Sequence, residues 1–366
     1  MKKKEIDFSK QIQMAFKFMY IGRNYDGLVI QSSTHNTIEE VLFNAMKRCS
    51  LLEDKPIEQL MTEQNFSRCG RTDKGVNSTG NVFSLSLRYN EKYNYTKLIN
   101  NLLPNDIYIL GSKIVDDSFD ARFSCLYREY KYYFFKKNMD IDLIKKACKL
   151  LQGVHNFKKF CKIDKADDNW ENKNYERRIY EIYIEKCGND FIFPFDISNT
   201  DDNYYECYVC VIKGSAFLWH QVRCIMSILF LIGNKLEDID LINEMLNEKS
   251  NKEFLYAIAD DSNLVLTDCV FEFCNFETEE AVASNIFLRL EKIYQDNLMQ
   301  AIINTHFFNI IFGANSIFTN VYNQSSHNII DYINNNHRRK NKYTKMLQHK
   351  INREIQKPQK KDIKKK

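Results

Sequence analysis

No run of about 18 apolar residues, the length a membrane-crossing helix requires, occurs in this chain of 366 residues. The first residues, Met1-Lys2-Lys3-Lys4-Glu5, are charged and no apolar segment follows them, so no secretory signal is expected. Glycine and proline are scarce, at 11 and 4, while asparagine and lysine abound; we read this as base-composition bias rather than function. The 11 cysteines are an odd number without a spaced framework, which argues against a disulfide scaffold and for reduced thiols. Cys207 and Cys210 form a CxxC, but Glu206–Ile212 reads as a buried strand, where positions i and i+3 point to opposite faces and cannot share an ion. No metal is expected. What remains, 44% hydrophobic and 27% charged residues, fits a soluble globular protein with room for one large domain or two medium ones.

Charge is unevenly spread. From Arg338 to Lys366 there are 13 Lys or Arg against Glu354 and Asp362, a local net of +11 in a chain whose overall net is +4. Such a tail is a solvated arm, an RNA contact or a nuclear address.

Periodicity predicts the elements. Gln13–Ile21 alternates with Met14, Phe16, Phe18 and Tyr20 on one face, as a strand does. Thr37 and Glu40 make a capping box ahead of Ile38, Val41, Leu42, Ala45 and Met46 at helical spacing. Strands are predicted at Phe83–Leu87, Asp106–Val115 and Tyr130–Phe134. A second block opens with an amphipathic helix on Ile144, Ala147, Cys148 and Leu151, closed by Gly153. Strands follow at Arg178–Ile184 and Glu206–Ile212, then a buried helix over Trp219–Ile232, a helix carrying Ile239, Ile242, Met245 and Leu246, and a strand over Leu264–Cys274. Asp164–Asn174 and Ser198–Asn203 read as surface loops, and Glu279–Ile303 as a helical stretch. Strands and helices interleaved twice imply two α+β halves, residues 13–137 and 138–275, with an extension over 276–366.

Three clusters carry chemistry. The first, Ser67-Arg68-Cys69-Gly70-Arg71-Thr72-Asp73-Lys74-Gly75-Val76, brackets an Arg, an Asp and a Lys with glycines; by itself it is a charged turn as readily as a site, and its spacing does not fit a phosphate-binding P-loop. The second runs from Phe119-Asp120-Ala121-Arg122-Phe123-Ser124 to Arg128-Glu129-Tyr130-Lys131-Tyr132. Basic and aromatic residues interleave there, as on an RNA-facing sheet or on a Tyr-rich core strand. In the third, Gly214-Ser215-Ala216-Phe217-Leu218-Trp219-His220-Gln221-Val222-Arg223, the arginine stands in an apolar helix and needs a carboxylate partner. His220 alone reads as a satisfied hydrogen-bonder rather than a general base.

In this order, these motifs resemble the TruA-type tRNA pseudouridine synthases from Met14 to Phe273. Cys69, Lys74, Ser124-Cys125-Leu126, Arg223-Cys224 and Asn263-Leu264-Val265-Leu266-Thr267-Asp268-Cys269 are similar to the eukaryotic branch, which modifies uridines 38 and 39 of the anticodon arm; a variant of the same chemistry acts at positions such as 27 and 28. The resemblance implies an α+β fold of two ferredoxin-like halves sharing a continuous, mainly antiparallel sheet, with a basic helical C-terminal extension. It also implies tRNA as partner, a homodimer, and location in the nucleus, the cytoplasm or both. The isomerisation breaks N1–C1′ and rejoins the base through C5 without redox change, so no cofactor is expected. Asp73 is then the essential carboxylate, adding to the nucleotide or abstracting a ribose proton. An adjacent cation favours its charged form, and Arg223 matches the family's arginine in that place. Tyr130 matches the tyrosine that stacks on the uracil, Arg71 the arginine that holds the flipped nucleotide, and Leu264 the apolar residue over the base. Arg122, Arg128, Lys74 and His220 are expected along the substrate path. Asn77 departs from the family's usual His or Ser, and Leu28-Val29-Ile30-Gln31 lacks an aromatic residue common there. A non-catalytic RNA-binding protein on the same scaffold is the competing expectation; it predicts loss of Asp73, Tyr130 or Arg223, and all three are present.

Overall fold

Alternation makes Gln11–Tyr20 (β1) a strand whose Met14, Phe16, Phe18 and Tyr20 are all buried. In the computed structural model residues 6–164, 170, 172–188, 206–250, 252–272 and 274–312 are described. Two compact units are distinguished, residues 1–192, 201–252 and 257–298 in one and residues 193–200, 253–256 and 299–366 in the other. Every strand among the described residues belongs to the first unit. The basic tail from Arg338, the loop Ser198–Asn203 and most of Asp164–Asn174 lie outside the described residues.

Ile38–Arg48 (α1) begins as the capping box demands, with Thr37 Oγ1 accepting from Glu40 N. Its apolar face, with Leu42, Phe43 and Met46, packs on β1 together with Ile57–Glu63 (α2). Ser67–Arg68 (β2) pairs with Ser84 and Phe83 in the middle of Asn77–Arg88 (β3). In β3 both faces are buried, because Ser84 turns away from the core yet is still covered. Phe83 stacks on Phe16 at 5.1 Å. Tyr95–Asn100 (α3) and Ile107–Ile114 (β4) complete this half, and Ile99, Ile107 and Ile109 close its core.

Cys125–Phe135 (β5) pairs with strands that come later in the chain, not with β1, β3 or β4. The sequence had grouped it with the first block; its register with residues 207–214 and 264–271 is what sets its position. Ile141–Leu151 (α4), Gly153–Asn156 (β6), Glu176–Lys186 (β7), Cys207–Gly214 (β8), Gln221–Gly233 (α5), Asp240–Leu246 (α6) and Leu264–Phe271 (β9) follow. Phe230 of α5 packs edge-on against Tyr132 and Phe134 of β5, at 5.9 and 5.2 Å. Tyr132 and Phe134 are therefore core residues, whereas Tyr133 and Phe135 emerge on the opposite face. Of the two expectations for this Tyr-rich strand, the core one holds for its inward residues. The CxxC falls on β8 with Cys210 fully buried and Cys207 partly open, on opposite faces.

Among the described residues nine strands form one sheet, ordered β4-β1-β3-β9-β5-β8-β7-β6 with β2 beside β3. All pairings are antiparallel except one. β3 and β9 run parallel, and only Asn77↔Val265 and Ser78↔Leu266 are in register there. Side chains extend this short ladder. Ser78 Oγ donates to Leu266 O at 2.9 Å, Thr79 Oγ1 donates to Thr267 O at 3.2 Å, and Lys17 Nζ lies 2.8 Å from Asp268 Oδ1. Glu280–Phe312 (α7) lays Val282, Ile286 and Leu290 on Tyr108, Met19 and Leu110, the face of β1 and β4 away from α1. This is the helical stretch expected in the extension.

The β3–β9 join needs a glycine. A Cβ at Gly80 would lie 2.3 Å from Thr267 O and 3.0 Å from Asp268 Cα, both backbone atoms that cannot move without parting the strands. Gly80→Ala will lower stability by about 1–3 kcal/mol, the cost of overpacking. The urea midpoint will fall with an unchanged slope; an unaltered midpoint would mean that the strands separate without penalty.

Candidate active site

The parallel join puts the beginnings of β3 and β9 side by side, so the loops that enter them meet. Into β3 comes the loop 69–76, which carries Asp73; into β9 comes the loop 260–263. Arg223, on the first turn of α5, reaches both. Its Nη1 is 3.7 Å from Asp73 Oδ2, its Nη2 is 3.5 Å from Asp261 Oδ2, and its Nε donates to Ala259 O at 2.8 Å. The carboxylate partner that a helical arginine in apolar surroundings requires is thus Asp73, with Asp261 as a second. His220 stands immediately before α5 in a left-handed conformation, φ +62°, and its Nε2 is 3.3 Å from Asp73 Oδ2. The Asp73 side chain keeps 25% of its surface open, against 13% for Arg223 and His220. One side of the carboxylate is therefore held by the Arg223 cation and the His220 imidazole, and the other is left for a ligand.

The loop is anchored along its whole length. Asn81, fully buried, accepts from Gly70 N at 3.1 Å and donates to Gly70 O at 3.0 Å. Tyr20 Oη and Thr72 Oγ1 are 2.7 Å apart, and burial raises the Tyr20 pKa well above its ordinary value. Gly75 takes φ +79°, and a Cβ there would come within 2.5 Å of Asp261 Oδ1, so glycine is required both by conformation and by space. Asn77 accepts from Gly22 N at 2.9 Å and donates to Ser262 O at 2.9 Å, so the residue that departs from the family ties two neighbouring loops together.

The other expected residues divide. Tyr130 is buried with its ring edge-on to Phe217 at 5.1 Å; burial, then nearby Cys269, Tyr20, Cys69 and Asp73, hold its phenol protonated. Leu264 is buried at the start of β9, directly after the loop whose Asp261 meets Arg223. Arg71 lies where partial burial and the charges of Arg68 and Arg122 disfavour its cationic form, a place that welcomes an anion. Arg122 stacks on Phe123, which is 77% exposed. Lys74 Nζ is 2.7 Å from Asp26 Oδ1, and this bond raises its pKa; it fastens the loop to the turn around Asp26. Arg128 differs most from expectation. It is buried, and its guanidinium donates to Ser215 O at 2.6 Å, Arg122 O at 2.5 Å and Cys69 O at 3.4 Å. Instead of lying along the substrate path it joins three loops from beneath, because a fork-shaped donor in the interior is spent on carbonyls. The sequence also gave no sign of Asp261, Asn81 or Asp26. Their roles come from contacts distant in sequence, Asp261 with Arg223 and Asp26 with Lys74, apart from Asn81, which lies 11 residues from Gly70.

Burial lowers the pKa of His220 from its ordinary 6.5, with Arg223 adding and Asp73 opposing. The folded protein then keeps His220 neutral where the unfolded chain takes up a proton, so its contribution to stability is lost as pH falls through 6.5 and below. Between about pH 7 and pH 5 the melting temperature of the wild type will fall further than that of His220→Gln; parallel curves would show that His220 carries no such penalty.

A family model described as tRNA pseudouridine synthase matches residues 147–272. The tRNA pseudouridine(38/39) synthase of Homo sapiens is 37% identical over 298 residues, 74% of this chain and 58% of that protein. The enzyme of the same name from Saccharomyces cerevisiae is 36% identical over 287 residues, 73% of this chain and 60% of that protein. This chain thus spans less than two thirds of the length of these two relatives. The tRNA pseudouridine synthase A of Methanosphaera stadtmanae is 31% identical over 288 residues, and there the match takes in 77% of this chain and 92% of the relative. With a near-complete relative matched in this way, and with one mixed α+β sheet presenting the Asp73 loop, the chain belongs to the TruA-type family of tRNA pseudouridine synthases.

Proposed function

We propose that the protein isomerises uridine to pseudouridine at positions 38 and 39 of the tRNA anticodon arm, with Asp73 as the reacting carboxylate. The observation that carries this reading is Asp73 held by Arg223 and His220 at the mouth of the β3–β9 join, with part of its surface free. The choice of positions rests on the names of the eukaryotic relatives.

The chemistry follows from the placement of the side chains. Flipping a base out of its stack costs a few kcal/mol, least in a loop or at a helix end, and the anticodon arm offers such a place. The cationic strip of Arg71, with Arg68 and Arg122 near it, receives the phosphates around the extruded nucleotide, since anions relieve its mutual repulsion. The uracil stacks on Tyr130, with Leu264 on the apolar side. Asp73 meets the sugar–base junction and either adds to the nucleotide or takes a ribose proton; the glycosidic bond breaks, the base turns, and C5 bonds to C1′. Tyr130, protonated, is suited to donate a hydrogen bond to the turning base. Arg223 and His220 position Asp73, and Arg128, Asn81 and Lys74 position its loop. The protein works as a homodimer on tRNA, a reading that rests on the family resemblance.

Unmodified tRNA incubated with the protein and mapped site by site will carry pseudouridine at 38 and 39. Asp73→Ala will lower the rate by at least about 10³-fold while leaving tRNA affinity within a few-fold, as loss of a reacting group does. Product elsewhere would overturn the positions, and product from the variant would overturn the role of Asp73. Arg223→Lys will cost about 10–100-fold in kcat, because lysine cannot reach Asp73, Asp261 and Ala259 O together. A wild-type kcat in that variant would show that charge alone suffices.

A further inference from the structure

The three thiols of Cys69, Cys125 and Cys269 come from distant parts of the chain and meet beneath the Asp73 loop. Their sulfurs all lie within 4.8 Å of one another, and all three residues are buried. Cys69 follows β2 and opens the loop, Cys125 is the first residue of β5, and Cys269 lies in β9 opposite Arg128. A thiolate–metal bond of about 2.3 Å requires sulfur separations near 4 Å, so small side-chain rotations close the gap. The other cysteines do not gather this way: among the described residues this is the one group of three or more ligand atoms so placed.

Arg128 gives a second, independent sign. It is 7% exposed, its partners among the described residues are three carbonyls, and no carboxylate among those residues pairs with it. A buried guanidinium calls for negative charge, and the three thiols, with the Tyr130 phenol, are the acidic groups around it. Three thiolates and one guanidinium leave two negative charges, which a divalent cation cancels and a monovalent one halves. Asn81 Oδ1 is 3.9 Å from Cys269 Sγ, but it already accepts from Gly70 N and Val82 N, so the protein's own donor set is the three sulfurs. Soft thiolates of this kind select d10 ions.

We propose that Cys69, Cys125 and Cys269 bind one soft d10 metal ion, zinc or copper(I), in a buried three-thiolate site. Each sulfur–metal bond forms as the thiol proton leaves to solvent, and no electron is transferred. The ion staples the entry of the Asp73 loop to β5 and β9, so its role is to position the loop. This runs against the expectation from sequence that no metal is held.

The test uses the full chain, stripped of metal under reducing conditions and titrated with zinc, or anaerobically with copper(I), against a chromophoric competitor for each. One ion per chain will bind, protons will be released, and the melting temperature will rise by several degrees; the arm with the tighter competition identifies the ion. Cys125→Ser and, separately, Cys269→Ser will lose at least 100-fold in affinity, and the paired control Cys187→Ser with Cys207→Ser will lose none. Should Cys269→Ser fail to fold, cobalt(II) bound to wild type and to Cys125→Ser reads the same site: the sulfur-to-cobalt absorption will drop in the variant. Equal binding by wild type and Cys125→Ser, or no stoichiometric binding of either ion, would overturn the proposal. None of these measurements involves uridine isomerisation, so they stand apart from the assigned reaction.

Discussion

The parallel contact between β3 and β9 is the constraint on which the site depends. Strands rise about 3.3 Å per residue, so an antiparallel pairing would set the start of the eight-residue β9 at the far end of β3, roughly 25 Å away. Run in parallel, both strands start together, and the loops that precede them lie within reach of one arginine. The fold thus gathers charge from three sequence regions, around positions 73, 223 and 261, at one end of a single seam.

The seam is thin in backbone terms and thick in side chains. Two register pairs are followed by hydroxyl-to-carbonyl bonds from Ser78 and Thr79, and Gly80 permits the close approach. Beneath the loop, Asn81 satisfies both polar groups of Gly70, and Arg128 gathers carbonyls from three segments. Buried polar groups are costly unless paired. Pairing them in this way fixes the loop backbone in place, so that Asp73 is offered to a ligand at a set position.

Much of this was legible beforehand. β1, α1 and α4 follow from periodicity and capping, because their apolar positions face a single core. Arg223 in an apolar helix announced a missing carboxylate, and Asp73 supplies it. Other features were hidden because sheet topology creates them. β5 sits after β9 in space although it precedes it by more than a hundred positions in the chain. Arg128 was read as a substrate contact because basic residues among aromatics look alike whether they point outward or inward; strand register, invisible in the sequence, turns it inward. The cysteines show the same limit. The pair adjacent in sequence, Cys207 and Cys210, is split across two faces, while Cys69, Cys125 and Cys269, far apart, are brought together.

His220 occupies a backbone conformation that a glycine or asparagine would adopt with less strain. The cost is of the order of 1 kcal/mol, and it is borne at the residue that flanks the Asp73 carboxylate. Selection for thermal robustness alone would replace this histidine. Glycine or asparagine there would relieve the backbone and remove the imidazole from beside Asp73, so local stability and the setting of that carboxylate pull in opposite directions.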